Sequence, residues 1–235
     1  MATQVRVSIP SLAAMEIFAG LPQAALKRIA ASAVVRRLAP DMRVFSQGDR
    51  PARAHIVIEG AVRILQTGSD GEQALMRFIA PGEIFGAVSL FTDGRYPADA
   101  ITLVETLEVS WSETELLALT NRYPHIGINA LRIVGRRLQE VQNRMRELAT
   151  QSAERRIAHA LMRLVGQGGR PMPDGTMIAF PLRRKDVADM AGTTLYTASR
   201  VLTGWEKTGL LFSNRRYLTV RDPARLLRLA EDSSS

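Results

Sequence analysis

The chain holds no cysteine in its 235 residues. Disulfides, iron–sulfur clusters held by thiolates and cysteine-rich zinc sites are therefore excluded, and a reducing compartment fits. Long apolar runs are missing as well. No segment reaches the roughly 18 consecutive apolar residues of a membrane span. The opening "MATQVRVSIPSLAAMEIFAG" lacks a basic stretch followed by an unbroken apolar run. These absences predict a cytoplasmic protein with no membrane partner. Marks of catalysis are also missing: there is no His/Glu metal triad in the strand-like segments, no nucleophile elbow and no phosphate loop. Neither an enzyme nor a metal site is expected. The only histidines are His55, His125 and His159, each read first as a packed or solvated imidazole rather than an axial ligand.

What is present suits a folded protein of two domains, since compact domains run about 100 to 200 residues. Hydrophobic residues make up 46% and charged residues 23%, enough to bury a core. The formal net charge is +8, and it is uneven. Residues 1–150 carry 17 Lys+Arg against 15 Asp+Glu, whereas residues 151–235 carry 14 against 8. The cationic surplus sits in the last third, which points to a polyanionic partner there.

"LPQAALKRIAASAVV" has apolar residues at helical spacing, and the texture then changes. "RVFSQGD", "AHIVIEGAVRIL", "QALMRFIAPGEIFGAVSL" and "AITLVETLEVSWS" alternate apolar and polar residues between turn signals at Gly48, Gly60, Gly71, Gly82 and Gly94. Even spacing without intervening helices predicts an antiparallel barrel or roll with a natural interior pocket. From Ile126 the period becomes helical: Leu131, Val134, Leu138, Val141, Met145 and Leu148 fall three and four residues apart. A seam this narrow suggests pairing with a second copy; the alternative is one amphipathic helix lying on its own barrel. Thr150 and Ser152 then break the seam as N-cap residues before a helix over 153–165. "GQGGRPMPDG" reads as a loop and "TMIAFPL" as a short strand.

"RRKDVADMAG" and "TTLYTASRVLTGWEKTGL" read as helix, tight turn at Gly192, helix. Val187, Met190, Ala191, Ala198, Val201, Leu202 and Trp205 supply a shared buried side. Thr194, Tyr196, Thr197, Ser199 and Arg200 are left facing out. A second helix so arranged can enter the DNA major groove, where an arginine bonds guanine O6 and N7 together. "LLFSNRRYLTVRD" suits a hairpin wing that lays Arg215 and Arg216 along phosphates. The alternative is a plain helical corner with Arg200 as a solvated charge.

The order of roll, long helix and winged helix-turn-helix resembles the family of the cyclic-AMP receptor protein and the fumarate and nitrate reduction regulator (Crp/Fnr). "FSQGDRPARAHIVIEGAVRIL" is similar to its roll signature, "PGEIFGAVSLF" to its pocket motif and "DVADMAGTTLYTASRVLTGWEKTGLL" to its recognition segment. The resemblance implies an α+β fold: an antiparallel β-roll of the cyclic-nucleotide-binding kind over 1–122, a dimerisation helix over 123–150 and a winged helix-turn-helix over 151–235. It also implies a homodimeric transcription regulator on palindromic double-stranded DNA, with RNA polymerase as a further partner. The interface would then be Leu131, Val134, Leu138, Val141 and Met145, and the DNA contacts Thr194, Tyr196, Thr197, Ser199, Arg200, Arg215 and Arg216.

By position, Ser199 and Arg200 match the serine and arginine that the fumarate and nitrate regulator uses on its half-site. Tyr196 stands where both named relatives commonly have glutamate, which leaves that base of the target open. The implied effector pocket is Phe85, Gly86, Ala87, Val88, Arg95, Tyr96, Pro97 and Ala98. Cyclic-AMP binders have a glutamate for the ribose and an arginine for the phosphate at the positions of Ala87 and Pro97. Without that cation the binding of cyclic AMP is not expected, and Arg95 lies two residues early. "RYPADA" is similar to the branch that regulates nitrate respiration and nitric oxide detoxification, some of whose members are thought to sense through heme. Heme, a small organic effector and no effector at all stay open, as does a non-specific architectural DNA binder.

Overall fold

The computed structural model describes residues 7–50 and 53–231. Pro51 and Ala52 of the roll signature lie outside the described residues. The chain divides into two compact units, Met1–Gln73 with Arg77–Glu140 and Ala74–Met76 with Val141–Ser235.

The first unit opens with α1 (Ile9–Ala13) and α2 (Gln23–Ser32), and the strands of the roll are β1 (Val34–Leu38), β2 (Arg43–Phe45), β3 (Arg53–Glu59), β4 (Val62–Thr67), β5 (Gln73–Ile79), β6 (Ile84–Phe85), β7 (Asp99–Thr102) and β8 (Thr106–Ser112). They form two four-stranded sheets, ordered β1-β8-β3-β6 and β2-β7-β4-β5. The strands turn at the glycines expected from sequence. One boundary differs from expectation: the first helical pattern ends at Ser32, because Val34 and Val35 pair with Ser110 and Val109 of β8. Two adjacent β-branched residues gain a ladder there that a helix cannot offer.

Ser112 caps α3 (Glu113–Arg122) reciprocally with Glu115, and α4 (His125–Thr150) follows. The α4 helix carries two apolar faces. Ile126 and Ile133 are buried in the core built around Phe18, Ile56 and Trp111. Leu131, Val134, Leu138, Val141, Met145 and Leu148 are exposed along the other.

In the second unit, Ser152 caps α5 (Ala153–Gly168) by accepting from the Arg155 amide, so the helix starts at the expected residue and runs three residues past the expected end. Then come β9 (Gly169–Met172), β10 (Gly175–Ile178), α6 (Arg184–Ala191), α7 (Leu195–Lys207), β11 (Leu211–Asn214), β12 (Tyr217–Val220) and α8 (Pro223–Glu231). The sheet order is β11-β12-β10-β9. Part of the expected Gly/Pro loop is therefore strand; β9 sits at the sheet edge, where Pro171 withholds no interior hydrogen bond. The core of this unit gathers Ile157, Leu161 and Leu164 of α5 with Val187, Leu202, Trp205 and Leu226. Among the described residues no helix is long and apolar enough to cross a membrane.

Candidate nucleic-acid interface and roll interior

Helix α7 is set by its N-terminus and its buried side. Thr194 accepts from the Thr197 amide at 3.1 Å, which satisfies one of the unpaired donors of the first turn. Gly192 makes the preceding turn at φ +58, a conformation that favours glycine. Its carbonyl and that of Ala191 accept from Arg156 Nη2 and Nε at 3.0 and 2.7 Å, so an α5 arginine closes the end of α6. Ala198, Leu202 and Trp205 are buried. That burial leaves Thr194, Tyr196 and Arg200 exposed and Thr197 and Ser199 half-exposed on the outer side. Tyr196 is 77% exposed, free to approach a ligand.

The wing turn is Arg215–Arg216, both exposed, with φ of 46 and 73. A two-residue hairpin turn with both residues left-handed ordinarily takes Asn-Gly. Placing two arginines there costs about 1–3 kcal/mol each in backbone strain. The turn is held by the Leu182 amide, which donates to the Arg216 carbonyl at 2.7 Å. Two strained, exposed cations at a hairpin tip suit an anionic backbone. The sequence-derived DNA-contact residues are thus on the outer faces of α7 and the wing. Arg184, Glu206 and Ser213, which tie these elements together, were missed; their partners come from different helices and from the hairpin, and pairing across elements leaves no mark in local periodicity.

Inside the roll, Phe45, Phe85 and Tyr96 belong to one buried cluster. The Tyr96 ring stacks on Phe45 with centroids 3.7 Å apart and planes within 4°, and Phe85 lies 5.9 Å from Phe45. His55 Nδ1–H donates to Glu108 Oε2 at 2.7 Å, and His55 Nε2 lies 2.9 Å from Tyr96 Oη. The Arg53 amide donates to the same phenol oxygen at 2.7 Å, and Arg36 pairs with Glu108. Gly86 has φ +72, and a Cβ there would meet the Arg53 carbonyl at 2.9 Å and the Tyr96 ring at 3.1 Å. No side chain fits. Of the eight expected pocket residues, Phe85, Tyr96 and Ala98 are buried, Gly86 and Ala87 half-buried, and Val88, Arg95 and Pro97 face outward. The segment thus divides between core and surface. Glu108 escaped the sequence reading; its signal was a lone carboxylate inside the apolar strand "TLEVSWS".

Burial alone would raise the Glu108 carboxyl, but His55 and Arg36 outweigh it and hold the group below its ordinary 4.5. Burial raises the Tyr96 phenol above 10.0. A depressed carboxylate adds stability that is complete above the ordinary value and is lost as pH falls through the folded value. The urea-midpoint gap between wild type and Glu108→Gln is expected to be constant down to about pH 5 and to narrow below about 4.5. A gap that stays constant into the acid range would show that folding does not shift the Glu108 carboxyl, and one that widens as pH falls would show that it is protonated in the folded roll.

The side chains that would hold the ribose and the phosphate of a cyclic nucleotide are missing from the expected positions, and two of the three imidazoles are already hydrogen-bonded. Ala87 and Pro97 offer no group to a ribose or a cyclic phosphate, and Tyr96 fills the space beside them. Both ring nitrogens of His55 are engaged; His159 bonds Gln151 at 3.3 Å, and burial lowers its imidazole below 6.5.

Comparison with known proteins places these features. Residues 35–123 match the cyclic nucleotide-binding domain, and residues 155–229 match the Crp-like helix-turn-helix domain. The cyclic AMP receptor protein of Thermus thermophilus is 32% identical over 203 residues, spanning 86% of this chain and 91% of the relative. The transcriptional activator protein FnrA of Stutzerimonas stutzeri is 26% identical over 189 residues, or 80% and 76%. The solved structure of FixK2 from Bradyrhizobium japonicum shares the fold, with a TM-score of 0.73 at 24% identity over 86% of this chain and 99% of that one. With a relative at this identity over nearly its whole length, and with roll, long helix and DNA-binding winged helix-turn-helix in order, the chain belongs to the Crp/Fnr family of transcription regulators.

Proposed function

We propose that the chain acts in the cytoplasm as a homodimeric, sequence-specific transcription regulator, with a roll over 1–122, a dimerisation helix over 123–150 and a DNA-binding domain over 151–235. The observation that carries this reading is the outer face of α7, where Tyr196 and Arg200 are exposed and Ser199 half-exposed, together with a strained two-arginine wing turn. Arg200 selects a G·C pair, Ser199 and Thr197 support it, and Arg215 and Arg216 meet phosphates. The exposed Leu131-to-Met145 seam pairs two copies, which sets the half-sites of a palindrome roughly 34 Å apart. RNA polymerase is the further partner of such a regulator, and no reaction is assigned to the chain. The filled roll favours a regulator that needs no cyclic nucleotide; the same filling counts against heme and nitric oxide sensing.

The test starts by enriching duplexes from a randomised pool. Arg200→Ala is expected to cost about 1–3 kcal/mol on the enriched site and far less on scrambled duplex. Equal losses on both would remove the base-reading role and leave an architectural DNA binder.

A further inference from the structure

Polar contacts between the recognition helix and the wing converge on one side chain. Glu206, in the last turn of α7, accepts from Arg184 Nη2 through Oε2 at 3.0 Å and from Ser213 Oγ through Oε1 at 2.6 Å. Arg184, in the first turn of α6, donates through Nη1 to the Ser199 carbonyl at 2.7 Å and to Thr203 Oγ1 at 2.8 Å. One carboxylate thus joins α6, α7 and the strand that leads into the Arg215–Arg216 turn.

Apolar packing makes this connection only at the base of the wing. The wing is seated at its root by Leu211, Leu218 and Val220, all buried. Farther out, a cleft of about 340 Å³ opens between the helices and the hairpin, lined by Leu182, Val187, Leu202 and Leu218 and edged by Arg184 and Glu206. Beside an open cleft the angle of the hairpin depends on its ladder to β10, on the Leu182–Arg216 backbone bond and on the polar ties of Glu206 across the gap. The charge argues the same way. An anionic group beside a DNA-facing surface repels phosphate and weakens binding. Glu206 is 26% exposed in the more cationic part of the chain, so its placement has to serve geometry rather than attraction.

We propose that Glu206 is a positioning residue that fixes the wing against the recognition helix, so that base contacts from α7 and phosphate contacts from Arg215 and Arg216 form together. The proposal rests on the reading of α7 and the wing given above. It predicts that removing the carboxylate separates specificity from affinity. A role in stability alone would weaken both specific and random binding, and a role through charge alone would strengthen both.

The experiment first enriches a duplex for the wild-type protein from a randomised pool. Binding to that duplex and to a scrambled one is then followed by fluorescence anisotropy over a range of salt for wild type, Glu206→Gln, Glu206→Ala and Ser213→Ala. An amide can accept from Arg184 and donate to Ser213 Oγ, so Glu206→Gln keeps both ties without the charge. Its ratio of specific to random affinity is expected within about threefold of wild type while both affinities rise. Glu206→Ala is expected to bind scrambled duplex more tightly and to lose about tenfold or more in the ratio. Ser213→Ala leaves the charge unchanged; it is expected to lower the ratio and to reduce the salt slope by about one as a wing arginine leaves its phosphate. Equal shifts on both duplexes in Glu206→Ala and Glu206→Gln would overturn the proposal in favour of charge alone. So would a Ser213→Ala protein indistinguishable from wild type. A wild-type protein that enriches no sequence overturns the base reading of α7 itself, and that result comes before any variant is made.

Discussion

Leu138→Asp is expected to yield a folded monomer that has lost about a thousandfold or more in affinity for an enriched palindromic site. Leu138 is 57% exposed in the single chain, with Leu131 at 74% and Met145 at 66%. An aspartate at such a position costs the folded protomer little, about 0.7 kcal/mol or less of helix propensity. The alternative in which the seam lies on its own roll is disfavoured, because Ile126 and Ile133, on another side of α4, already occupy that core. In a paired seam the same aspartate would face apolar side chains of a second copy, and a buried unpaired charge is strongly destabilising, by about 3–5 kcal/mol. With the pair broken, one half-site must hold the protein alone, and affinity falls towards that for random DNA. Sedimentation equilibrium and binding to full and half sites check both halves of the expectation. A dimeric Leu138→Asp protein would contradict the seam. A monomer with undiminished palindrome binding would contradict the coupling of half-sites.

The DNA-binding half was legible because its signals are local. The helices repeat their buried positions every three or four residues, Gly192 marks the turn, and the wing turn falls within "SNRR". The strands of the roll were legible by their turn glycines for the same reason. Two strands were not. The β1 strand opens with Val34 and Val35, which extend the apolar pattern of α2 without a break, and only the ladder to β8 decides that they are strand. The β9 strand contains Pro171, a residue that argues against a strand unless it lies at an edge, and edge position is a property of the sheet. The candidate site divided along the same line. Arg200 could be placed from helical phase alone, whereas the state of the roll interior depends on Phe45 and His55 meeting Tyr96 from distant strands. A sequence can mark the segment that edges a cavity in a family; whether that segment lines the cavity or fills it is settled by side chains remote in the chain.

Tyr96 offers the sharpest test of a filled interior. Tyr96→Ala is expected to lower the stability of the protein by about 3–5 kcal/mol, the range for deleting a fully buried aromatic ring. The ring is buried, stacks on Phe45 at 3.7 Å and carries the oxygen that meets both the Arg53 amide and His55 Nε2. Tyr96→Phe keeps the stack and leaves those two groups without the phenol, and is expected to cost about 1–3 kcal/mol. Urea unfolding of the three proteins ranks them, and the gap between the two variants measures packing apart from hydrogen bonding. A pocket residue waiting for a ligand behaves otherwise: its ring would be removable at about 1 kcal/mol or less, as for surface positions. The two cases also part on addition of p-cresol, which matches the deleted side chain in shape and polarity. A cavity left inside a closed roll takes up the phenol and regains stability in proportion to the logarithm of its concentration, whereas a loop that never filled the interior gains nothing. Restored stability in Tyr96→Ala would mean that the chain carries its own occupant at this point of the roll, and that an effector entering there has first to displace it.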